Sequence, residues 1–516
     1  MTGFPPLPTE LRFQAPPSIL ETDWYKMFMG MVGYPLREET FVLSFRRGGP
    51  YVMPVDPAEY VKGLLPVATQ EDLDYIAEYG LPPTPAYVEA MKGKVQVVGV
   101  PKGQWFSALD PVLTVTGPSA LVSNLEAKLT MLRFRCQVTT IALTKPETLR
   151  HHFSIVTCQR EREIVLETLD TVGVKIDFEI QVDEKGYYDH IYRRAKELVD
   201  MVGPKKVMEA GLRAASCLEQ HLIALSACKA AGFLATSNVY GARFLGMTPR
   251  GTTGHEHHQR CGIGSNPDYE AFTTARDRAV GVPTFLLDTV STQQSGLPAA
   301  VEAMVEARDR LCAVRFDSEA TMVDDYTRAI MLFRDFGLEP VLSLGGGFDA
   351  QTTAKFEGIC KRFKWPEIRQ SYMYGQYLVE PHVPLPTRGQ ASAVFKLCRT
   401  GGRTSMKFSD NPDNPDVAGP KSSLPGLPIL FRKVDSSAEG PLSYIGQQGE
   451  TLPPRGGYVV LSGGEERPFD SGVPDGLGVP SEQSPMTKYL VFVLTRERNE
   501  IRSRALTRTT TIRNQR

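Results

Sequence analysis

Four stretches within one segment decide the fold: TFLLDT (284–289), AVRFDS (313–318), VLSLGGG (341–347) and SYMYGQY (371–377). Each begins as a short apolar strand, reaches a small or acidic residue and leads toward an amphipathic helix. The residues at the strand ends lie 29 positions apart: Asp288, Asp317, Gly346 and Gly375. Because parallel strands joined by helices gather their C-terminal ends on one rim, these residues are predicted to converge on one ligand. Two carboxylates and two glycines suit a substrate with both hydroxyls and phosphates.

The alternation of strand and helix patterns predicts an α/β protein: an irregular (β/α) barrel with an α+β sandwich domain built from the N-terminal and C-terminal segments. Residues 145–200 read as an insertion, with a pair of strands followed by a helix. The predicted division of the chain is a flexible arm at 1–18, the sandwich at 19–144 and 386–495, the insertion at 145–200, the catalytic barrel at 201–385 and a basic tail at 496–516.

Composition excludes several classes of protein. Lys and Arg number 58 against 59 Asp and Glu, so no nucleic acid or membrane partner is expected. No apolar run reaches the roughly 20 residues of a membrane helix, and the N-terminus does not read as a secretory signal. Eight cysteines without a CxxC pair favour reduced thiols and a cytoplasmic protein. The tail at 496–516 is predicted to be a solvated or disordered end.

The densest polar cluster is GTTGHEHHQRC, residues 251–261. It is not a zinc protease motif, because HExxH requires a second histidine where the chain has Gln259. Three interpretations stay open at this point. The cluster could bind a metal, it could be a surface group without function, or His255, oriented by Glu256, could serve as a nucleophile or general base.

Motifs in the same order along the chain resemble those of the nicotinate phosphoribosyltransferase family. The motifs, from about residue 20 to 435, are TDWYKMFMGMVGY (22–34), FVLSFRRGGP (41–50), EAGLRAAS (209–216), SNVYGARFLGMTPRGTTGHEHHQ (237–259), FLLDT and VRFDS, and MKFSDNPDNPDVAGPKSS (406–423). The resemblance implies an enzyme of NAD biosynthesis that joins nicotinate to phosphoribosyl pyrophosphate, giving nicotinate mononucleotide and pyrophosphate.

The resemblance also implies coupling to ATP. In the family, the histidine in the place of His255 is phosphorylated by ATP, so His255 is the expected phosphohistidine and first catalytic residue. An imidazole nitrogen is a good neutral nucleophile at pH 7. Tyr25 would cover one face of the pyridine ring, and the family presents this tyrosine from a neighbouring subunit. A homodimer with a shared active site is therefore expected.

Further roles follow from the same resemblance. Arg315 would face the substrate carboxylate or a phosphate, and Asp317 would lie near the ribose hydroxyls or a Mg²⁺ held mainly by the pyrophosphate. Thr252 would contact the pyridine carboxylate, Arg213 a phosphate, and Asp349 the ribose. A structural ion pair between Arg315 and Asp317 is the alternative explanation for that pair.

The phosphate is expected at a glycine run that precedes a helix capped by Asp349, where free backbone N–H groups can cradle an anion. The other predicted substrate-binding residues on this rim are Gly345, Gly346, Gly347, Asp288 and Gly375.

The identity of the base is predicted from Ser237. Relatives that use nicotinamide carry an acidic residue there, which would accept an amide N–H and repel a carboxylate. Ser237 therefore favours nicotinate. The alternatives are an enzyme that uses nicotinamide, and a catalytically silent homologue that binds nucleotide.

The sequence departs from the family at two places. Where the family has a GVGT loop, the chain keeps Gly375 but places Tyr377 at the position of a second glycine. In EAGLRAAS, Ala210 replaces a bulkier residue and Ala214 replaces a second arginine. These changes put the phosphate-binding loop in question.

Overall fold

A computed structural model describes residues 17–262, 266–278, 281–307, 310–408, 422–434, 440–451, 458–469, 472–474 and 477–514. For residues 505–514 it describes the backbone only. Most of the predicted N-terminal arm and much of the MKFSDNPDNPDVAGPKSS segment therefore lie outside the described residues.

The elements of the N-terminal part are α1 (Trp24–Val32), β1 (Glu38–Phe45), β2 (Tyr51–Val52), α2 (Pro57–Gly63), α3 (Gln70–Glu78), α4 (Pro85–Met91), β3 (Gln96–Gly99), β4 (Trp105–Phe106), β5 (Leu113–Pro118), α5 (Ser119–Asn124) and α6 (Glu126–Thr144). The next elements are α7 (Leu149–Phe153), β6 (Ile155–Val156), α8 (Gln159–Thr171), β7 (Gln181–Val182) and α9 (Glu184–Val202).

The central part contains β8 (Val207–Glu209), α10 (Leu218–Ala231), β9 (Ala235–Thr236), α11 (Val239–Leu245), β10 (Thr248–Pro249), α12 (His255–Cys261), α13 (Pro267–Arg278), β11 (Thr284–Leu286), α14 (Leu297–Glu306), β12 (Ala313–Phe316), α15 (Met322–Asp335), β13 (Val341–Leu344), α16 (Ala350–Arg362) and β14 (Gln370–Tyr374). The remaining elements are α17 (Arg388–Ala391), β15 (Ala393–Thr400), β16 (Arg403–Thr404), β17 (Pro428–Lys433), β18 (Ser443–Gln447), β19 (Tyr458–Val460), β20 (Glu482–Gln483) and α18 (Pro485–Asn514).

The predicted α/β class is confirmed. Seven parallel strands form one sheet in the order β10-β9-β8-β14-β13-β12-β11, and helices connect them. Within the described residues, no strand pairing joins β10 to β11, so the sheet is an open half-barrel. The Thr253 hydroxyl donates to the carbonyl of Thr284 (3.3 Å) and links the two edges.

The repeat of 29 residues keeps the strand ends side by side. Thr284 pairs with Ala313, Phe316 pairs with Leu344, and Leu344 pairs with Tyr372. The helices between the strands bury their apolar faces against the sheet; the buried residues of α15 include Met322, Tyr326, Ile330 and Phe333. As a result, Asp288, Asp317 and the glycine run share one rim, as predicted.

An antiparallel sheet in the order β16-β15-β1-β5-β3 contacts α12, because the Gln259 side chain donates to the carbonyl of Leu397 in β15 (3.2 Å). Strand β15 follows the half-barrel in the chain and pairs with β1 from Glu39↔Thr400 to Phe45↔Ala393. The chain therefore returns to the N-terminal α+β unit, as the sequence indicated. The smaller sheet β19-β17-β18-β20 completes this part.

Two expectations need correction. Residues 145–200 contain the two expected strands, but these are two residues long, pair in parallel and enclose the unpredicted helix α8. The tail is not wholly solvated, because residues 496–514 are helical in α18 and one face of this helix buries Arg498 (1% exposed) and Ile501 (5% exposed). The Arg498 guanidinium contacts the chain near Val290, so local charge alone did not indicate its environment.

Among the described residues, no helix has the length and apolar content needed to span a bilayer.

Candidate active site at the rim of the half-barrel

His255 is the first residue of α12, directly after the loop that leaves β10. Its ring is 8% exposed, and its Nδ1 lies 3.1 Å from the hydroxyl of Thr289. Asp288 and Thr289 lie in the loop after β11. The orientation of the imidazole is therefore set by two loops, the one that follows β10 and the one that follows β11. A ring that donates Nδ1–H to Thr289 leaves Nε2 with its lone pair available.

The atom Nε2 of His255 faces two carboxylates. It lies 3.9 Å from Oδ2 of Asp317, too far for a hydrogen bond. Oδ2 of Asp288 accepts the Ser318 hydroxyl (2.8 Å), whereas Asp288 Oδ1 and His255 Nε2 are buried without a hydrogen-bond partner in the described part of the chain. Buried polar atoms without partners are uncommon, and here they point to a ligand.

Electrostatics keep this histidine neutral. Burial and the nearby Lys407 ammonium lower the pKa of His255 to about 4, against the opposing effect of Asp288 and Asp317. Burial alone would raise the pKa of Asp317, but the Arg315 guanidinium, His255 and the Lys407 ammonium together outweigh burial and hold that pKa well below its usual range. At neutral pH the site therefore presents a neutral imidazole beside a charged carboxylate.

Arg315 and Thr252 extend this cluster. Nη1 of Arg315 donates to the Thr252 hydroxyl (2.7 Å), and Nη2 donates to Oδ1 of Asp317 (2.8 Å). The ion pair that was the alternative explanation for these residues is thus present. Nε of Arg315 is buried and has no hydrogen-bond partner among the residues described, so one donor of the fork stays available.

The donor set fits a divalent cation. Ligand atoms of His255, Asp288 and Asp317 lie within 4.8 Å of one another. The two carboxylates are the oxygen ligands that Mg²⁺ prefers, and Asp288 Oδ1 is one of the unpartnered atoms. Asp288 and Asp317 would hold Mg²⁺ together with oxygens of a bound substrate, which leaves the lone pair of His255 Nε2 free of the metal.

Tyr25 lies on the other side of the site, within its own chain. A Cβ atom on Gly254 would be 3.0 Å from the Tyr25 ring, so the glycine permits this close approach. The Tyr25 hydroxyl donates to Oε2 of Glu126 (2.6 Å), and the Arg213 guanidinium lies 5.4 Å from the ring centre. The resemblance implied a tyrosine from a neighbouring subunit, but here the chain's own Tyr25 borders the site.

Carboxylates already hold Arg213. Its Nε lies 3.3 Å from Oδ2 of Asp23, and its Nη1 lies 3.7 Å from Oε1 of Glu126. Asp23 also accepts the hydroxyl of Ser237 at 2.6 Å. The Ser237 hydroxyl, which the sequence analysis took as a neutral contact for the base, is therefore bonded to the carboxylate of Asp23, the residue before α1.

The glycine run has the predicted geometry. Gly346 has φ +86°, and a Cβ there would lie 2.7 Å from the carbonyl oxygen of Asp317, so only glycine fits. Asp349 caps α16 by accepting the N–H of Thr352 (2.7 Å). This cap engages Oδ1 of Asp349, the residue expected to contact ribose. Gly345 and Gly347 flank Gly346 on the same rim.

Tyr377 does not block the site. Its ring lies 4.6 Å from the Arg194 guanidinium of α9, and its hydroxyl is 3.5 Å from Oε2 of Glu197. The side chain thus packs on α9. Gly375 keeps its place at the end of β14, where a Cβ would lie 3.4 Å from the carbonyl oxygen of Ala210.

A cavity of about 530 Å³ lies against the face of β1 and β15. Three cationic side chains line it: Arg46, Lys396 and Lys488. Lys396 Nζ lies 3.4 Å from Oε1 of Glu126, the residue that accepts the Tyr25 hydroxyl. The cavity therefore lies close to Tyr25. Apolar side chains supply most of the rest of its lining, and none of His255, Asp288 and Asp317 borders it.

Solved structures with this architecture were found. A nicotinate phosphoribosyltransferase from Porphyromonas gingivalis superimposes with a TM-score of 0.54 and 16% identity, covering 77% of this chain and 95% of that one. The Vibrio cholerae enzyme gives 0.54 and 18%, covering 78% and 92%. A Saccharomyces cerevisiae chain assigned to the same activity gives 0.55 and 16%, covering 77% and 94%. No protein-family model and no curated protein matches the sequence.

The chain has the nicotinate phosphoribosyltransferase fold.

Within this fold, the other polar residues of α12 are structural. The Glu256 carboxylate bonds Lys26 Nζ (2.5 Å) and the Ser123 hydroxyl, so it does not orient His255. His257 Nε2 lies 3.1 Å from the carbonyl of Ala271, and His258 Nδ1 lies 2.7 Å from Asp268.

The alternative of a metal site within the cluster 251–261 is therefore not supported, because His257 and His258 are each bonded to a protein group. Within the described ranges, the side chains whose ligand atoms lie close enough to share a metal ion are those of His255, Asp288 and Asp317.

Sequence reasoning missed Glu126, Asp23, Thr289 and Arg133. Glu126 and Arg133 are charged residues in the otherwise apolar α6, which was the available signal. Both are at most 1% exposed. Arg133 donates to the carbonyls of Ala214 (2.6 Å) and Ala215 (3.0 Å) and so shapes the turn that carries Arg213.

Proposed function

We propose that this chain is a phosphoribosyltransferase of NAD salvage that forms nicotinate mononucleotide and pyrophosphate from nicotinate and phosphoribosyl pyrophosphate. ATP hydrolysis is coupled to turnover through a phosphohistidine at position 255. One observation carries the proposal: Nε2 of His255 is buried beside Asp288 and Asp317 without a hydrogen-bond partner among the described residues, on the rim of this fold.

The phosphoryl step uses Nε2 of His255. Its lone pair attacks the terminal phosphorus of ATP, the bond to the bridging oxygen breaks, and ADP leaves with that electron pair. The neutral state of the ring and the Thr289 contact at Nδ1 support this role. Water later takes the phosphoryl group and restores the imidazole.

The transfer step joins the pyridine nitrogen to the anomeric carbon of the ribose. The carbon–nitrogen bond forms as the carbon–oxygen bond to pyrophosphate breaks, and pyrophosphate leaves with the electron pair. Catalysis comes mainly from alignment and charge neutralisation. Arg315 would contribute positive charge on this rim, because its Nε is buried and has no hydrogen-bond partner among the described residues.

A Mg²⁺ bound on this rim would supply positive charge that neutralises the pyrophosphate. Asp288 and Asp317 would hold it, with His255 next to them. The buried and unpartnered Oδ1 of Asp288 supports this assignment.

A second candidate substrate is nicotinamide. Ser237 has no charge of its own, but its hydroxyl is bonded to the Asp23 carboxylate, and burial raises the pKa of Asp23. A carboxylate near the base would accept an amide N–H. This contact weakens the sequence argument for nicotinate. A homodimer stays part of the proposal, and sedimentation of the purified chain tests it.

Pyrophosphate release tests the reaction. Purified protein is incubated with phosphoribosyl pyrophosphate and Mg²⁺, with nicotinate, nicotinamide or no base, and with or without ATP. We expect release that requires nicotinate and is stimulated by ATP. Greater release with nicotinamide would transfer the assignment to that base, and no release with either base would support the catalytically silent homologue.

A further inference from the structure

The C-terminal helix α18 buries a cation close to the candidate active site. Arg498 is 1% exposed, whereas the side chain of Arg496 on the same helix is 74% exposed. Nε of Arg498 donates to the carbonyl oxygen of Val290 at 2.9 Å. The guanidinium also lies 5.5 Å from the ring centre of Phe408. Burying an arginine costs free energy unless its donors are hydrogen-bonded. The contacts of Arg498 therefore indicate what its burial does for the structure.

Both contacts of Arg498 adjoin residues that act on His255. Val290 follows Thr289, whose hydroxyl contacts Nδ1 of His255. Phe408 follows Lys407, whose positive charge acts on the same imidazole. One guanidinium therefore links two segments that are far apart in sequence and that set the orientation and the charge environment of His255.

The docking of α18 involves a whole helical face. Leu494, Arg498 and Ile501 recur at the spacing of one face and are all buried. One turn further, Arg502 Nε bonds the side-chain oxygen of Gln294 in the π-helical turn Thr292–Gly296. The helix thus holds the chain from Val290 to Gln294 at two points.

We infer that Arg498 is a positioning residue that fixes the segment carrying Asp288 and Thr289 against His255. The inference rests on the proposed function, because it assigns Arg498 to the reaction of that site. Arg498 acts through the backbone of Val290 and contacts no substrate. Loss of Nε would free the Val290 carbonyl and let Thr289 move relative to the imidazole.

Hydrogen exchange of residues 288–296 tests the positioning without any need for turnover. In Arg498→Ala we expect the amides of this segment to exchange about tenfold faster than in the parent protein. Arg504→Ala is the matched control, because it removes the same charge from an exposed position of α18 (side chain 61% exposed) and should leave exchange within about twofold. Unchanged exchange in folded Arg498→Ala overturns the inference.

Steady-state kinetics tests the link to the reaction. We expect kcat of Arg498→Ala to fall about tenfold with KM for both substrates within about twofold, since Arg498 touches neither. Arg498→Lys should restore part of kcat, because an ammonium can still donate to the Val290 carbonyl. A fall that appears equally in Arg504→Ala, or a rise in KM alone, overturns the assignment.

A second variant covers the case in which Arg498→Ala does not fold. Arg502→Ala removes the contact with Gln294, together with a hydrogen bond to Asn499 on the same helix, and should speed exchange of residues 288–296 about threefold. No change in this variant would contradict the inference. If the parent protein shows no turnover, the proposed function fails, while the exchange result still reports separately on the positioning.

Discussion

The two sides of the rim differ in how their polar groups are satisfied. Around His255, atoms of three side chains face inward without hydrogen-bond partners among the described residues: His255 Nε2, Asp288 Oδ1 and Arg315 Nε. Around Tyr25, charges neutralise one another: Lys26 Nζ lies 2.9 Å from Glu126 and 2.5 Å from Glu256. The first side has groups available to a ligand, whereas the second forms a wall. Substitutions around His255 should therefore lower the activity, and substitutions around Tyr25 should lower the free energy of unfolding.

Breaking the wall should have the largest effect. Lys26→Met leaves the buried carboxylates of Glu126 and Glu256 without their shared cation, which costs about 3–5 kcal/mol of unfolding free energy. Denaturant unfolding measures this value. Lys62→Met is the control, because Lys62 pairs with Glu59 at the surface, where both side chains are more than 70% exposed, and should change stability by less than about 1 kcal/mol. Equal costs would show that the Tyr25 side is no more rigid than the surface.

Removing the imidazole should affect activity instead of stability. His255→Ala should abolish ATP stimulation of pyrophosphate release, a loss of about a hundredfold in the ATP-coupled rate, and leave some ATP-independent synthesis. The exposed His151 provides the control substitution His151→Ala. Full ATP dependence in His255→Ala would remove the assigned role.

The pH at which the ATP-coupled rate falls tests the charge state of His255. Because burial and then Lys407 lower the pKa of His255 to about 4, the ring stays neutral from pH 8 to about pH 5 and is protonated only as the pH falls through 4. The ATP-coupled rate should fall there and not near 6.5. The free energy of unfolding should fall as the pH drops from about 6.5 to 4, because the unfolded imidazole takes up a proton in this range and the buried one does not.

Lys407→Ala provides the matched test. Loss of this cation should raise the pKa of His255 and move the acidic fall in rate to higher pH. A pH–rate profile that stays the same would show that Lys407 does not act on the ring.

The smallest expected effect belongs to one hydroxyl on the wall. Tyr25→Phe removes the hydrogen bond to Glu126 but keeps the aromatic face, so unfolding free energy should fall by about 1 kcal/mol and KM for the base should stay within about twofold. Steady-state kinetics and thermal unfolding measure both. A large rise in KM would mean that the hydroxyl, and not the ring, contacts the base.

The strands of the half-barrel were predictable because their signal is local. An apolar run followed by Asp or Gly repeats every 29 residues, and the strand pairing places Asp288, Asp317 and Gly346 together. The buried His255 and its contact with Thr289 required two loops that are distant in sequence. Glu256 was assigned to His255 because it is adjacent in the chain, but the first turn of α12 directs it toward Lys26.

Long-range burial also explains the remaining differences. Arg498 is one of seven arginines in 496–516, and its charge gave no sign of the contact with Val290. Asp23 was the residue before the helix of Tyr25 in the sequence, and only the tertiary fold brings it to Ser237. Tyr377 occupies the place of a glycine, but its ring is accommodated on α9.

A crystal structure with nicotinate mononucleotide and Mg²⁺ tests the central claim most directly. We expect the pyridine ring against Tyr25, the ribose near Asp317 and the phosphate near Gly345–Gly347. Nucleotide bound away from His255, Asp288 and Asp317, or a site that stays empty at saturating nucleotide, would contradict it.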